Sequence, residues 1–263
     1  TPSEPAAVSY DGGTVSLTVF ANMDWKVQDV PSWITVSPES GMGSNYKQPV
    51  TVTVEKNNGG MREATLVFAI DGATSSVKIT QGHGFGSDAP SNALFFTSFT
   101  TSMGNFTIKD VTVPEQLPCI WEFSSQYKCM KATAYENATT NNYASESWLI
   151  SPEIDLSGYT DCYFTFDHAG LYFGDITQEA TVWISKDGGD WTQLMIDPND
   201  YPASWTFMSA GEWDLASYIG SKVRFGFKYS STAKKAGTWE VCHVAVISGK
   251  SSRAPLPDVD PTK

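Results

Sequence analysis

Apolar and polar residues alternate with a period of two along most of this chain. Val15, Leu17 and Val19 interleave with Ser16 and Thr18, and Val50, Val52 and Val54 with Thr51 and Thr53. Ala64, Leu66, Phe68 and Ile70 share one face, as do Val77 and Ile79. Successive side chains of a strand point to opposite faces, so this pattern marks strands buried on one side. Asp71-Gly72 between the last two runs has the residues of a two-residue hairpin turn, and Asn57 to Gly60 supply an earlier turn. Seven or so short strands in residues 1–82 predict an immunoglobulin-like sandwich. Residues 83–92, from His83 to Asn92, form a linker by composition, since their glycines and Pro90 do not suit a strand.

A second block, residues 93–248, is organised around Trp148 to Gly158. Trp148-Leu149-Ile150 ends a strand, and Pro152 has no N–H to give a ladder. After a turn-rich stretch, Cys162 to Asp167 makes the next strand. A strand broken in this way suits a curved sandwich in which the chain leaves a sheet and re-enters it. Leu94 to Phe96, Asn105 to Val111, the hairpin Thr181 to Leu194 across Lys186-Asp187-Gly188-Gly189-Asp190, and Val223 to Tyr229 are further strands. Trp239 to Ile247 is apolar on both faces, which predicts a central strand. Residues 114–145 read as irregular and polar, a stretch so long that it is either a functional loop or holds structure the pattern does not show, and 197–213 as aromatic and turn-rich. The tail 249–263 is rich in proline and charge and is expected to be disordered.

The 263 residues carry a formal charge of −12, which argues against nucleic acid, whose binding needs clustered Lys and Arg. No apolar run approaches the roughly 18 residues of a membrane helix. The four cysteines form no CxxC pair and His is scarce, which disfavours a structural zinc site. A Cys119–Cys129 loop closure, a Cys162–Cys242 bridge and buried free thiols all remain open.

Trp25, Pro31 to Pro38, Ser40-Gly41, Val50 to Val54, Asn57, Arg62 and Ile79-Thr80-Gln81 together resemble the BACON domain, a module of Bacteroidetes surface proteins for which carbohydrate binding has been proposed. In the second block a series occurs in order: Trp148 to Pro152, Ile154 to Ser157, Phe164 to Asp167, Ser185 to Gly189, Leu215 to Tyr218 with Gly220, Val223 to Phe227, and Thr238 to Val241. It resembles the cleaved-adhesin or choice-of-anchor jelly rolls, relatives of galactose-binding-like and MAM domains. The resemblances imply an all-β chain, an immunoglobulin-like sandwich followed by a jelly roll, in a secreted or lipid-anchored cell-surface protein. Any membrane attachment would then come from an N-terminal lipid anchor outside this chain.

The related jelly rolls sometimes hold structural calcium, through an acidic residue near the first strand and an acidic pair in the last. Here Glu240 matches the last-strand position. Cys242-His243 and Thr97-Ser98 replace the other acidic positions, each change removing a hard ligand. Calcium is therefore an optional structural ion, and no cofactor is required. Asp187 to Asp190 reads as a hairpin turn, not a calcium loop. Asp167-His168 does not form a dyad, because strand neighbours face opposite ways. No GxSxG elbow occurs, so catalysis has no motif behind it.

Sugars stack on aromatic faces flanked by polar groups. The candidate platforms are Tyr172 and Phe173 in the Gly170–Gly174 loop, Tyr201, Trp205 and Phe207 in the irregular stretch, and Trp121 in the long loop, all placed on loops at one end of the jelly roll. Trp25 and Trp33 are either platforms or core. The expected function is non-catalytic binding of a glycan or a surface protein, within a polysaccharide-uptake or adhesion system. A structural spacer or protein-interaction module is the alternative, and a glycoside hydrolase the remote one.

Overall fold

The computed structural model describes residues 6–85 and 88–249. They divide into two compact units, with Ser91–Leu94 on the side of the first and Asp88–Pro90 and Phe95 onward in the second. Gly86 and Ser87 of the expected linker, and the expected tail from residue 250 on, lie outside the described residues.

The first unit is a two-sheet sandwich. Its strands are β1 (Ala6–Val8), β2 (Gly13–Val19), β3 (Trp25–Gln28), β4 (Ile34–Ser37), β5 (Ser40–Gly41), β6 (Gln48–Val54), β7 (Arg62–Ile70) and β8 (Ala73–Gln81). One sheet runs β1-β8-β7-β3-β5 and the other β2-β6-β4. The alternating valines of β6 and the Leu66, Val77 and Ile79 side chains meet between the sheets, with Trp25 and Ile34. β7 and β8 join through Asp71-Gly72, where Gly72 adopts the positive φ of 78° that a tight hairpin turn requires.

Three polar residues of the N-terminal pattern hold one end of this sandwich. The buried Asn57 amide donates to the Gly60 and Gly82 carbonyls, and the buried Gln81 amide donates to Ser9 and Glu55. Arg62 donates to Gln81 Oε1 and lies over the Trp33 ring at 4.3 Å. Backbone carbonyls that strand pairing leaves unpaired are satisfied in this way. Trp25 is core, its Nε1 bonded to Gln48, and Trp33 packs partly buried against the same core beneath Arg62.

The second unit is a jelly-roll sandwich. Its strands are β9 (Ala93–Thr97), β10 (Thr107–Thr112), β11 (Trp121–Ser124), β12 (Cys129–Thr133), β13 (Tyr135–Glu136), β14 (Asn141–Asn142), β15 (Ser145–Ile150), β16 (Ile154–Asp155), β17 (Cys162–Leu171), β18 (Ala180–Lys186), β19 (Trp191–Leu194), β20 (Met208–Asp214), β21 (Lys222–Ser231) and β22 (Thr238–Ser248). A short helix, α1 (Ile176–Glu179), precedes β18. One sheet is ordered β10-β15-β21-β18-β19, with β16 also on β21. The other is ordered β11-β12-β22-β17-β20, with β9 also on β22.

The break at Pro152 works as the sequence predicts. β15 leaves β21 at the pair Ile150–Gly226 and β16 returns to the same strand at Ile154–Val223. Ser151 bridges the gap: its N–H donates to the Phe225 carbonyl and its hydroxyl accepts the Phe225 N–H. The core between the sheets is aromatic. Phe164 stacks on Phe225 at 3.7 Å, Phe166 on Trp213, and Trp239 touches Trp121, Phe166 and Phe227. β22 is central, as its two apolar faces predict.

Two expectations are corrected, and one open question is answered. Residues 114–145 are not an irregular loop: they hold β11 to β14, and the alternation Met130-Lys131-Ala132-Thr133 that builds β12 is in the sequence. The 197–213 stretch ends in strand β20. Of the alternatives open for the cysteines, the structure takes the one without bridges: none of the four is in a disulfide. Cys162 pairs across the sheet with Ser248 and Cys242 with Asp167, so the two that share neighbouring strands stand out of register.

Candidate functional site

The outer face of the β22 sheet carries a cleft of about 850 Å³. Its floor follows from strand period and register. Lys131 stands opposite Glu240 and Thr133 opposite Thr238, so these four share one face, while Met130, Ala132, Trp239 and Val241 fill the core on the other. The walls are loops: Tyr127 from the β11–β12 hairpin, Tyr135 and Asn142 from the small β13–β14 pair, Lys234 to Ala236 from the β21–β22 connection, and Tyr172, Trp205 and Phe207 on the far side.

Tyr172 and Trp205, two of the sequence candidates, meet here edge to face with centroids 6.0 Å apart. They are 66% and 47% exposed, high values for large apolar rings. Tyr172 also has φ of 72°, a left-handed conformation that costs a non-glycine residue on the order of 1 kcal/mol and persists only where the surroundings impose it. Those surroundings are visible. The next residue, Phe173, lies on Gly170 and Gly237, where an added Cβ would come within 3.0 and 2.5 Å of its ring. The Glu179 carboxylate accepts the N–H groups of Gly174 and Asp175. Phe173 is therefore an anchor beneath the platform, not part of it.

Other bonds stiffen the remaining walls. The buried Tyr229 hydroxyl donates to the Gly237 carbonyl and accepts the Ala134 N–H, and Asn142 accepts the Ala236 N–H. His168 is fully buried. It accepts the Trp239 indole N–H on Nδ1 and bonds the Asp200 carbonyl through Nε2, tying the Trp205-bearing loop to the core. Burial lowers its pKa to about 4, so it works as a neutral imidazole. Tyr201 packs towards His168 behind the loop, and burial raises its phenol pKa.

Trp121 is 1% exposed, bonds the Ser147 carbonyl and packs on Trp239, so it leaves the set of candidate platforms. β11 begins at this residue and turns its ring inward. The cleft also lies over a sheet face, with loops as walls, instead of resting on loops at one end of the sandwich. Tyr127, Lys131, Thr133, Tyr135, Asn142 and Thr238 were not singled out from sequence. The alternation of β12 was the one signal that pointed to any of them.

Glu240, 5% exposed, sits on the cleft floor. Desolvation raises its pKa, and Lys131, which is itself ion-paired to Glu122 at 2.6 Å, offsets this only in part. A carboxyl whose folded pKa is raised destabilises the fold when ionised. Stability thus falls as pH rises from the unfolded carboxylate pKa through the folded one. In chelator, Glu240→Gln is expected to raise Tm by a few degrees at pH 7 and to leave it unchanged near pH 4, as calorimetry at the two pH values would read.

Among the described residues, Glu240 is not part of a close group of three or more Asp, Glu, His or Cys donors. Among the described residues, the close group of metal-ligand types is instead Asp167, Cys242 and His243, with donor atoms all within 4.8 Å of one another. It supplies a single carboxylate beside a thiol and an imidazole, a poor match to six to eight oxygens.

Residues 24–82 match the BACON family, described as a putative N-terminal binding domain. No curated protein sequence matches the chain. Among solved structures, a Bacteroides ovatus GH5 xyloglucanase in complex with a XXXG heptasaccharide is 25% identical, over 33% of this chain and 20% of that one, with a TM-score of 0.28. This chain thus spans about a fifth of that enzyme's length. The K1 cleaved adhesin domain of Lys-gingipain from Porphyromonas gingivalis is 12% identical over 59% of this chain and 98% of that domain, with a TM-score of 0.38. The CBM22-1 xylan-binding domain of Paenibacillus barcinonensis Xyn10C is 13% identical over 64% of this chain and all of that one, with a TM-score of 0.34. At these TM-scores the likenesses say nothing of what the chain binds. Among the described residues, no helix is long and apolar enough to cross a membrane.

Proposed function

We propose that the second unit is a non-catalytic glycan-binding module of a cell-surface or secreted protein, and that a glycan chain lies in the cleft across the β22 sheet. The observation that carries this reading is the exposed Tyr172–Trp205 pair, held in a strained, anchored loop beside a floor of hydroxyl, amide and charged side chains. Rigid aromatic faces take sugar rings by their apolar C–H sides, and the neighbouring polar groups take the hydroxyls. A platform held in place before binding avoids the ordering cost that weakens flexible sites.

Hydrolysis is disfavoured by the same inventory. Glycosidases need two carboxyl groups facing each other across the bond, and among the described residues Glu240 is the single carboxylate lining this cleft. The test is a glycan-array screen of the full chain in chelator and in calcium. Selective binding in both conditions is expected. Binding that disappears with chelator would return calcium to the site, and no binding in either would remove the glycan reading.

A second reading, protein interaction, is favoured by the first unit. Phe20, Met23, Met42 and Tyr46 are exposed on two neighbouring loops joined by the Ser44 N–H to Ala21 carbonyl bond and the Gly43 N–H to Asp24 carboxylate bond. An apolar cluster of this kind suits a protein surface better than a sugar. A chain that fails on the array would have its role at this end, as a spacer or docking module.

A further inference from the structure

We infer that Asp167, Cys242 and His243 form a binding site for a late first-row divalent metal, with zinc the natural occupant and calcium disfavoured. Neighbours on a regular strand point to opposite faces, so Cys242 and His243 should not act together. Here they do, because β22 is bulged at this point. From Thr165 to Asp167, β17 advances two residues, while the paired stretch of β22, Ala245 to Cys242, advances three. His243 takes up the extra residue with φ of 48°. Bulges re-aim side chains, and this one brings the imidazole to the same side as the thiol and the Asp167 carboxylate.

The three donors converge on one point. His243 Nδ1 is 2.9 Å from Asp167 Oδ2 and 3.5 Å from Cys242 Sγ. Both contacts use the same ring nitrogen. A catalytic Cys-His-Asp relay needs the two different nitrogens, one for the nucleophile and one for the orienting acid, so the arrangement is not that of a relay. It is the convergence a metal wants. Zn–S and Zn–N bonds of about 2.3 and 2.0 Å at a tetrahedral angle place sulfur and nitrogen about 3.5 Å apart, the separation present here. The Nδ1···Oδ2 hydrogen bond needs to open by a few tenths of an ångström to admit the ion.

The electrostatics agree. Asp167 and Cys242 are buried, and His243 keeps 28% of its side chain exposed, which leaves an approach from solvent. A divalent ion beside one thiolate, one carboxylate and a neutral imidazole is charge-balanced in a buried setting. The Cys242 thiol releases its proton to solvent on binding, and the imidazole proton moves to Nε2 through solvent. Thiolate and imidazole select zinc and its neighbours over calcium. Phe96 lies nearly parallel to the His243 ring, with centroids 6.1 Å apart.

The test uses the full chain, freed of metal by chelator and dialysed. Zn²⁺ titration by calorimetry should show one equivalent bound, at least about 100-fold more tightly than Ca²⁺. Co²⁺ should add a sulfur-to-cobalt charge-transfer band in the near ultraviolet. Cys242→Ser should remove that band and weaken zinc about 100-fold, and His243→Asn should weaken it at least about tenfold. Cys129→Ser, a buried thiol outside the cluster, should change neither. Circular dichroism checks that each variant folds. Should Cys242→Ser not fold, the cobalt spectrum of the unmodified chain decides. Absence of zinc binding, a cobalt complex without the thiolate band, or equal affinity for calcium would overturn the assignment.

Discussion

Replacing Tyr172 and Trp205 by alanine is expected to abolish glycan binding while leaving the fold intact. Each ring is exposed and touches the other, so each single substitution should lower affinity by about tenfold to a hundredfold, or about 1.4–2.8 kcal/mol. The double variant should then fall below detection, with a shortfall from strict additivity because the rings are in contact. Neither ring is part of the core, so the stability change should stay near 0.5 kcal/mol per site, about 2 °C in Tm for a chain of this size. Calorimetric titration with the best ligand from the array, alongside thermal unfolding, separates the two effects. A large drop in Tm in both single variants would show that the rings seal the core, and the site would lose its platform.

The opposite pattern is expected for Trp239→Ala. This side chain is fully buried, contacts Trp121, Phe166 and Phe227, and gives its indole N–H to His168. Its removal leaves a large cavity, which for a Trp or Phe costs about 3–5 kcal/mol. It also removes the donor to a buried histidine, adding a desolvation cost of about 1–3 kcal/mol. At about 2–4 °C per kcal/mol, Tm should fall by about 10–30 °C. Glycan binding, measured well below the new Tm, should weaken less than in the Tyr172 or Trp205 variants, because Trp239 faces away from the cleft. A loss of stability below about 1 kcal/mol would mean that the second unit does not rely on this aromatic core.

Much of the architecture was legible from local pattern. The alternating valines of β6, the Asp71-Gly72 hairpin, the broken strand at Pro152 and the two-faced β22 all appear where the residues place them. Their signals are carried by neighbours in sequence: side-chain period, turn conformation and the missing N–H of proline act within a few residues. Tyr172 and Trp205 were also visible, as aromatics set in turn-rich segments where a strand face cannot hide them. Trp121 sits in a stretch whose polarity suggests a loop, and the alternation from Met130 to Thr133 is the one local sign of the strand pair that turns its ring inward.

Two features could not be obtained that way. The cleft floor exists because Lys131 meets Glu240 and Thr133 meets Thr238, a register between residues 105 positions apart in the second pair. The Asp167–Cys242–His243 cluster exists because a bulge turns one residue of β22 towards a partner 76 positions away. Period-two patterning states that a residue faces one side of a strand. It does not state which strand lies beside it, or where the ladder slips by one. Those are settled by the packing of the whole sandwich, through the aromatic core around Phe164, Phe225 and Trp239, and the chemistry of both sites follows from that packing.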